Sequence, residues 1–213
     1  MIKLQSGPQS AIVVSSFLEK QGYPVFSCDK IYKEFLHDKN YVEQIAKLFP
    51  DAIEGGAVLI SRLSNIVFND AKKREQLNAL AHPLIMSVLR DKMQQKNGLV
   101  FAEVPLLFEG GYEKEFDEII VVLRDRSKRI EAIAQRDEVS VQTANKKIDA
   151  QFDYDDATVS NKFAGMYVLY NNGQPQTLFL ELQKTVNELK AKLQSWNKYR
   201  ETFFKHVLGR DSP

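Results

Sequence analysis

Ile2 and Leu4 alternate with polar neighbours, and Ser6-Gly7-Pro8 ends that short extended run. From Ala11 to Gln21 the apolar positions change to helical spacing, at Val13, Val14, Phe17 and Leu18, until Gly22 and Pro24 stop them. Pro24 to Cys28 then predicts a second short strand, with Asp29 at its carboxyl end. Strand, turn, helix, turn and strand form the opening βαβ unit of a nucleotide-binding α/β fold, whose first turn is the place for a phosphate loop.

The pattern over residues 30–97 is mainly helical. It predicts helices at Lys30–His37 and Val42–Phe49, a turn at Gly55-Gly56, and a further stripe through Leu59, Leu63, Ile66 and Val67. Asn69-Asp70 predicts a cap for a helix running to Ala81. His82-Pro83 then predicts the opening of another helix, with Leu84, Ile85, Val88 and Leu89 turned inward and Asn97-Gly98 closing it. Leu99–Val104 is nearly all apolar with one late acid, Glu103, as a central parallel strand should be. Pro105-Leu106-Leu107-Phe108-Glu109 follows, Glu109 being suited to brace the turn, and Gly110-Gly111 breaks the chain. Ile119–Leu123 predicts a second buried strand and Tyr167–Tyr170 a last short one. Between them, residues 124–163 are charged and helical with few aliphatic anchors, which predicts a mobile lid rather than core. Over residues 178–208, Leu182, Val186, Leu189, Leu193 and Trp196 alternate steps of four and three. That spacing suits a terminal helix docked on the sheet or one that offers a coiled-coil surface to a partner. Gly209 to Pro213 is predicted to be disordered.

Composition narrows the class. A chain of 213 residues with 44% hydrophobic and 27% charged residues reads as one soluble globular domain. A net charge of +1 gives no large field, which argues against nucleic acid and against an anionic membrane as partners. One cysteine, Cys28, allows no internal disulfide and suits a reducing, cytoplasmic setting. The amino-terminal residues are too polar for a signal peptide, and no apolar run approaches membrane-spanning length.

Four blocks then carry a resemblance. Residues 24–31 (Pro-Val-Phe-Ser-Cys-Asp-Lys-Ile), 77–85 (Leu-Asn-Ala-Leu-Ala-His-Pro-Leu-Ile), 103–109 (Glu-Val-Pro-Leu-Leu-Phe-Glu) and Gln135-Arg136-Asp137 are similar, in order and spacing, to the dephospho-coenzyme A kinases. The resemblance extends to about Gly173. It implies an α/β phosphate-loop kinase fold with a doubly wound, five-stranded parallel sheet, a helical insertion that binds substrate, and a lid. It also implies transfer of the terminal phosphate of ATP, with magnesium, to the ribose hydroxyl of dephospho-coenzyme A. Such a transfer needs cations around the phosphates, a positioned acceptor and exclusion of water more than covalent help.

The resemblance assigns residues one at a time. Asp29 matches the family's acid after the second strand, a base or orienting group for the acceptor hydroxyl; a lone Asp there is otherwise a cap. Glu103 lies where the family commonly has Asp, suited to a metal-bound water or the acceptor, or else a solvated strand end, and Pro105 and Leu106 follow it. His82 resembles the family's His-Pro, although an isolated histidine is more often a core or cap residue. Arg136 matches the lid arginine that folds over phosphates. Gln151 matches a lid-hinge or base-contacting position, and Asn171 and Gly173 match an Asn-x-Gly near the adenine end. The turn itself, Gly7, Pro8, Gln9, Ser10, Ala11 and Ile12, takes the nucleotide-binding position.

This chain also departs from the pattern. The family's Gly-Lys-Ser falls on Ser10-Ala11-Ile12 or on Ile12-Val13-Val14, so neither the cation nor the metal-binding hydroxyl is present. Ser27 replaces a second acid, Ile60 an arginine with Arg62 nearby, Ala132 the first lid arginine, and Gly165-Met166 an Ala-Asp pair. The segment between Gln151 and Asn171 is a few residues longer than the pattern. Two functions remain open beside that of a distinct small-molecule kinase gripping phosphates with lid cations alone. One is an ATP-dependent dephospho-coenzyme A kinase with a degenerate phosphate loop. The other is a non-catalytic relative that binds a coenzyme A-like ligand or nucleotide, or acts as a regulatory or structural partner.

Overall fold

The computed structural model describes residues 2–6, 8–105, 107–149 and 163–207. The chain divides into two compact units, Met1–Val25 with Lys96–Pro213, and Phe26–Gln95.

The first unit is built on parallel strands. They are β1 (Ile2–Ser6), β5 (Phe101–Glu103), β6 (Glu118–Leu123) and β7 (Tyr167–Tyr170), and β2 (Val25–Ser27) begins where this unit ends. The sheet order is β2-β5-β1-β6-β7. Register sets Leu4 beside both Glu103 and Ile120, Ser6 beside Val122, and Leu123 beside Tyr170. Strand β6 carries Ile119 through Leu123 as one buried run, the signature of a strand covered on both faces.

Helix α1 (Pro8–Lys20) starts three residues earlier than the hydrophobic pattern indicates, because proline is well tolerated in a first helical turn. Val14 and Leu18 of α1 are wholly buried with Phe101, Ile120 and Val122 of the sheet. The terminal helix α9 (Pro175–Val207) joins the same core through Leu178, Leu182, Val186 and Leu189. Full burial of a side chain such as Leu18 stabilises by about 2 kcal/mol. Phe17 stacks on Phe179 at 4.7 Å, which fixes α1 against α9, and Tyr23 meets Phe101 edge-on at 5.4 Å. The docked reading of the terminal helix therefore holds as far as Leu189. It fails at Trp196, which is exposed.

The charged stretch forms a hairpin of α7 (Arg126–Arg136) and α8 (Val141–Asp149). It has more core than the sequence suggests: Ile133, Ala144 and Ile148 are buried together, with Ile130, Ala134 and Val139 packed against them. These anchors are spread across two short helices, so no single window looks hydrophobic. Residues 150–162, and with them Gln151, lie outside the described residues, as do Gly7, Leu106 and 208–213.

The second unit is helical, with one small hairpin. It contains α2 (Cys28–Phe35), α3 (Lys39–Leu48), α4 (Ile60–Asn69) and α5 (Ala71–Gln94). The Gly55-Gly56 turn joins two-residue strands β3 (Ile53–Glu54) and β4 (Ala57–Val58), too short to show any alternation. Both glycines have positive φ, 58° and 80°, as a two-residue hairpin turn requires. Asp38 caps α3 by accepting from Tyr41 N at 2.8 Å, and Asp70 caps α5 by accepting from Lys73 N at 3.1 Å. Tyr41, wholly buried, is flanked by Tyr32 and Phe35 with ring centroids at 6.2 and 5.5 Å.

Two expectations are corrected here. His82-Pro83 does not open a helix; α5 runs through it from Ala71 to Gln94 with Pro83 inside. Proline removes one backbone bond, and the buried Ala81, Ile85, Met86, Leu89 and Met93 on either side hold the helix together across the gap. Met86 takes the inward place expected of Leu84, which is exposed. Secondly, Cys28 and Asp29 are helical rather than extended: β2 passes into α2 without a loop, and Asp29 stands in its first turn.

Candidate functional site

In a parallel sheet every carboxyl end lies on one edge, where open α/β folds bind ligands. In the first unit this edge collects Ser6, Glu103, Leu123 and Tyr170, the last residues of β1, β5, β6 and β7. The amino-terminal turn of α1, with Pro8, Gln9, Ser10, Ala11 and Ile12, starts two residues beyond Ser6. Its unpaired backbone N–H groups and partial positive charge suit an anion. Glu103 is half-buried and Pro105 makes the turn after it. Asn171 continues the edge, donating its backbone N–H to the Leu123 carbonyl at 2.7 Å, and Gly173 is exposed beside it. Glu103, the α1 turn, Asn171 and Gly173 thus share one edge.

A group that the sequence does not reveal closes this edge. Asn172 accepts from Asp125 N at 2.7 Å and donates to Asp125 Oδ1 at 2.5 Å, while Lys128 Nζ donates to the Asn172 carbonyl. Asp125 stands where α7 would be capped, but its side chain makes no cap bond and is given to Asn172 instead. The clamp ties the first turn of the hairpin to the loop after β7. The one signal in the sequence is the position of Asn172 between Asn171 and Gly173.

Arg136 ends α7 and is bound by its neighbour. Its Nε and Nη2 donate to the two carboxylate oxygens of Asp137 at 2.6 and 3.0 Å, and Lys147 Nζ of α8 donates to the same group at 2.6 Å. Those bonds, Arg136 first, hold the Asp137 carboxyl down to about 2, and raise Arg136 above the ordinary guanidinium value. At the other end of the hairpin Arg126 reaches Asp149 at 2.6 Å and Asn145 at 3.3 Å.

In the second unit, Asp29 is exposed at its surface. It is nevertheless surrounded closely enough for desolvation to raise its carboxyl above the usual range, against the opposing charge of Lys33 one turn on. His82 is half-buried in mid-helix. Arg62, the possible replacement for the missing arginine at exposed Ile60, is paired with Glu54 at 3.1 Å.

Residues 11–14 of α1 offer magnesium no side-chain ligand. Ala11, Ile12, Val13 and Val14 present no oxygen, Val14 is wholly buried in the core, and the next hydroxyl, Ser15, is buried without a hydrogen-bond partner. Among the described residues no group of three His, Cys, Asp or Glu side chains is placed to hold a metal. Nor is any described helix long and apolar enough to cross a membrane.

Known proteins are similar to this chain in sequence and fold. A dephospho-CoA kinase of Fusobacterium nucleatum is 30% identical over 174 residues, covering 80% of this chain and 88% of that protein. One from Thermus thermophilus is 28% identical over 177 residues, covering 83% and 84%. Among solved structures, a Thermus thermophilus crystal structure superposes with a TM-score of 0.72 at 26% identity, covering 90% of this chain and 96% of that one. Dephospho-CoA kinase from Campylobacter jejuni shares the fold, with a TM-score of 0.65 at 21% identity and coverage of 90% and 97%. The family model for dephospho-CoA kinase matches residues 7–176, from the turn before α1 to the start of α9, and so takes in the ends of β5, β6 and β7. On that match the chain belongs to the dephospho-CoA kinase family.

Proposed function

We propose that this protein transfers the terminal phosphate of ATP to the ribose 3′-hydroxyl of dephospho-CoA, the last step of coenzyme A synthesis, and does so slowly. The observation that carries this reading is the family match over residues 7–176. In it Asp29 accepts the hydroxyl proton or orients the oxygen, and the α1 turn, from Gly7 to Ile12, cradles the nucleotide phosphates through its backbone N–H groups. Arg136 covers the developing charge, its guanidinium pre-aligned by Asp137. Asn171 and Gly173 receive the adenine end, while His82, Glu103, Pro105, Leu106 and Gln151 serve the substrate. The helical segment 30–97 is the substrate-binding insertion of a five-stranded, doubly wound kinase domain, 124–163 its lid and 178–208 its terminal helix. The setting is cytoplasmic, and ATP arrives with its magnesium; no step is assigned to the metal, because residues 11–14 offer it no ligand.

Hydrocarbon in place of the family's lysine and hydroxyl removes several kcal/mol of transition-state stabilisation, on the order of a thousandfold in rate. The absence of a lysine and of a hydroxyl at residues 11–14 favours a second reading, in which the protein binds a coenzyme A-like ligand without turnover. A coupled ATP assay with dephospho-CoA separates the two. Slow turnover that Asp29→Ala abolishes supports the kinase. No turnover, together with calorimetric binding of dephospho-CoA but not of ATP, supports the non-catalytic relative.

A further inference from the structure

The α7–α8 hairpin is braced at both ends. Arg126 pairs with Asp149 at 2.6 Å at one end, Asp137 gathers Arg136 and Lys147 at the other, and Ile133, Ala144 and Ile148 pack between them. These bonds make the hairpin one body but do not fix the angle at which it leaves the sheet. The chain passes from β6 into α7 through Arg124 and Asp125, and a covalent link whose backbone dihedrals can turn is only a pivot.

The Asp125–Asn172 clamp supplies a second attachment. Backbone, carboxylate and lysine of one helix start converge on Asn172: it accepts from Asp125 N at 2.7 Å, donates to Asp125 Oδ1 at 2.5 Å, and accepts from Lys128 Nζ at its carbonyl. Asn172 is in turn held to the sheet, because the Asn171 N–H donates to the Leu123 carbonyl at 2.7 Å. A carboxylate at the start of a helix is ordinarily kept for the unpaired N–H groups of its first turn. Asp125 makes no such bond, so its side chain serves the orientation of α7 rather than its cap.

Arg136 stands at the far end of this lever. The 11 residues of α7 span about 16 Å, so a tilt of about 5° at the clamp moves Arg136 by more than about 1 Å. A guanidinium has five N–H donors and Asp137 takes two of those of Arg136, which leaves three for phosphate oxygens. We propose that Asp125 and Asn172 are positioning residues, which fix α7 at the angle that carries Arg136 to the transferred phosphate. This rests on the role given to Arg136 in the kinase reading. A contact that only stabilised the hairpin would act independently of Arg136, and its loss would add to the loss of Arg136. A positioning contact acts through Arg136, so once that side chain is gone nothing is left to misplace.

A double-mutant cycle on the full chain tests this. Asp125→Ala removes the clamp without uncapping α7, and should lower kcat in the coupled dephospho-CoA assay by about tenfold or more while leaving the KM for dephospho-CoA unchanged. In an Arg136→Met background the same change should have no further effect. Asp125→Asn/Asn172→Asp exchanges carboxylate and amide across the clamp, keeps a donor facing an acceptor, and should recover most of the lost rate. Exchange of the Val139 amide should be equal in the parent and Asp125→Ala, which reports an intact hairpin. If the parent does not turn over, the cycle is read on ATP affinity by calorimetry, where Asp125→Ala should weaken binding by about tenfold only while Arg136 is present. Such coupling without turnover would sink the kinase reading and leave the clamp standing. Turnover with additive losses, no rescue by the exchanged pair, faster Val139 exchange, or Asp125→Ala behaving like the parent would overturn the clamp and leave the kinase reading. A parent that neither turns over nor binds ATP would overturn both.

Discussion

Asp137 shows how one carboxylate decides the behaviour of its neighbours. It accepts from Arg136 and Lys147, and its pKa of about 2 lies below the ordinary value for an aspartate. A carboxyl depressed in the folded state stabilises above its unfolded pKa and loses that contribution as pH falls through the folded one, here between about 4 and 2. Asp137→Asn should therefore loosen the α7–α8 hairpin by about 1 kcal/mol at neutral pH, the upper end for a partly solvated ion pair. Exchange of the Val139 amide, whose N–H is bonded to the Ala134 carbonyl at the turn, measures it. Below pH 2 the variant and the parent should exchange alike; a difference that persists there would assign the effect to packing instead. Single residues were unevenly legible. The resemblance points to Arg136, Glu103 and Asn171, but that Asp137 holds Arg136 and that Asn172 clamps Asp125 is not written in the sequence. Both depend on side-chain directions that sequence separation does not encode. Asp29 reads as a strand end in the sequence, because a strand that turns into a helix without a loop leaves no breaker residue to mark the change.

Elements were legible where a single signal dominated. Tyr167–Tyr170 emerges as the strand that the pattern gives, and the Asp70 cap forms the bond expected of it. The pattern misled where two signals competed. His82-Pro83 carries the marks of a helix start, and tertiary packing overrode them in α5. The helix is thereby one backbone hydrogen bond short, at the Ala79 carbonyl that a residue with an amide at position 83 would reach. Pro83→Ala should restore that bond and stabilise the second unit by about 1–2 kcal/mol, the helix gain less the lost restriction of the unfolded chain. Urea denaturation of the full chain checks it. A decrease in stability would mean that the ring itself fills a contact which the exposed position of Pro83 does not suggest. The β3–β4 hairpin was missed for a simpler reason: two-residue strands are shorter than the period that identifies strands.

For the whole molecule, class and family were legible because they rest on the order and spacing of four sequence blocks, one of which, residues 103–109, begins at the carboxyl end of β5. The division into units was less so. The sequence suggests an insertion over residues 30–97, whereas the compact helical unit spans Phe26–Gln95 and takes in Cys28 and Asp29. The backbone N–H of Phe101 donates to the Pro24 carbonyl at 2.9 Å, so the chain leaves the first unit and re-enters it at one point. In polymer terms the second unit is a long loop closed at a narrow neck. The cost of closing such a loop grows only with the logarithm of its length, so exchanging Phe26–Gln95 for about five Gly/Ser residues recovers about 2 kcal/mol of chain entropy. The shortened chain should keep its parallel sheet and unfold cooperatively in urea; a collapsed species without a sharp transition would show that the sheet needs its insertion to fold. In the intact protein the same topology sets an order of events. Strand β1 must wait for β5, some hundred residues later, and that delay shortens if the helical unit folds first and draws the neck together.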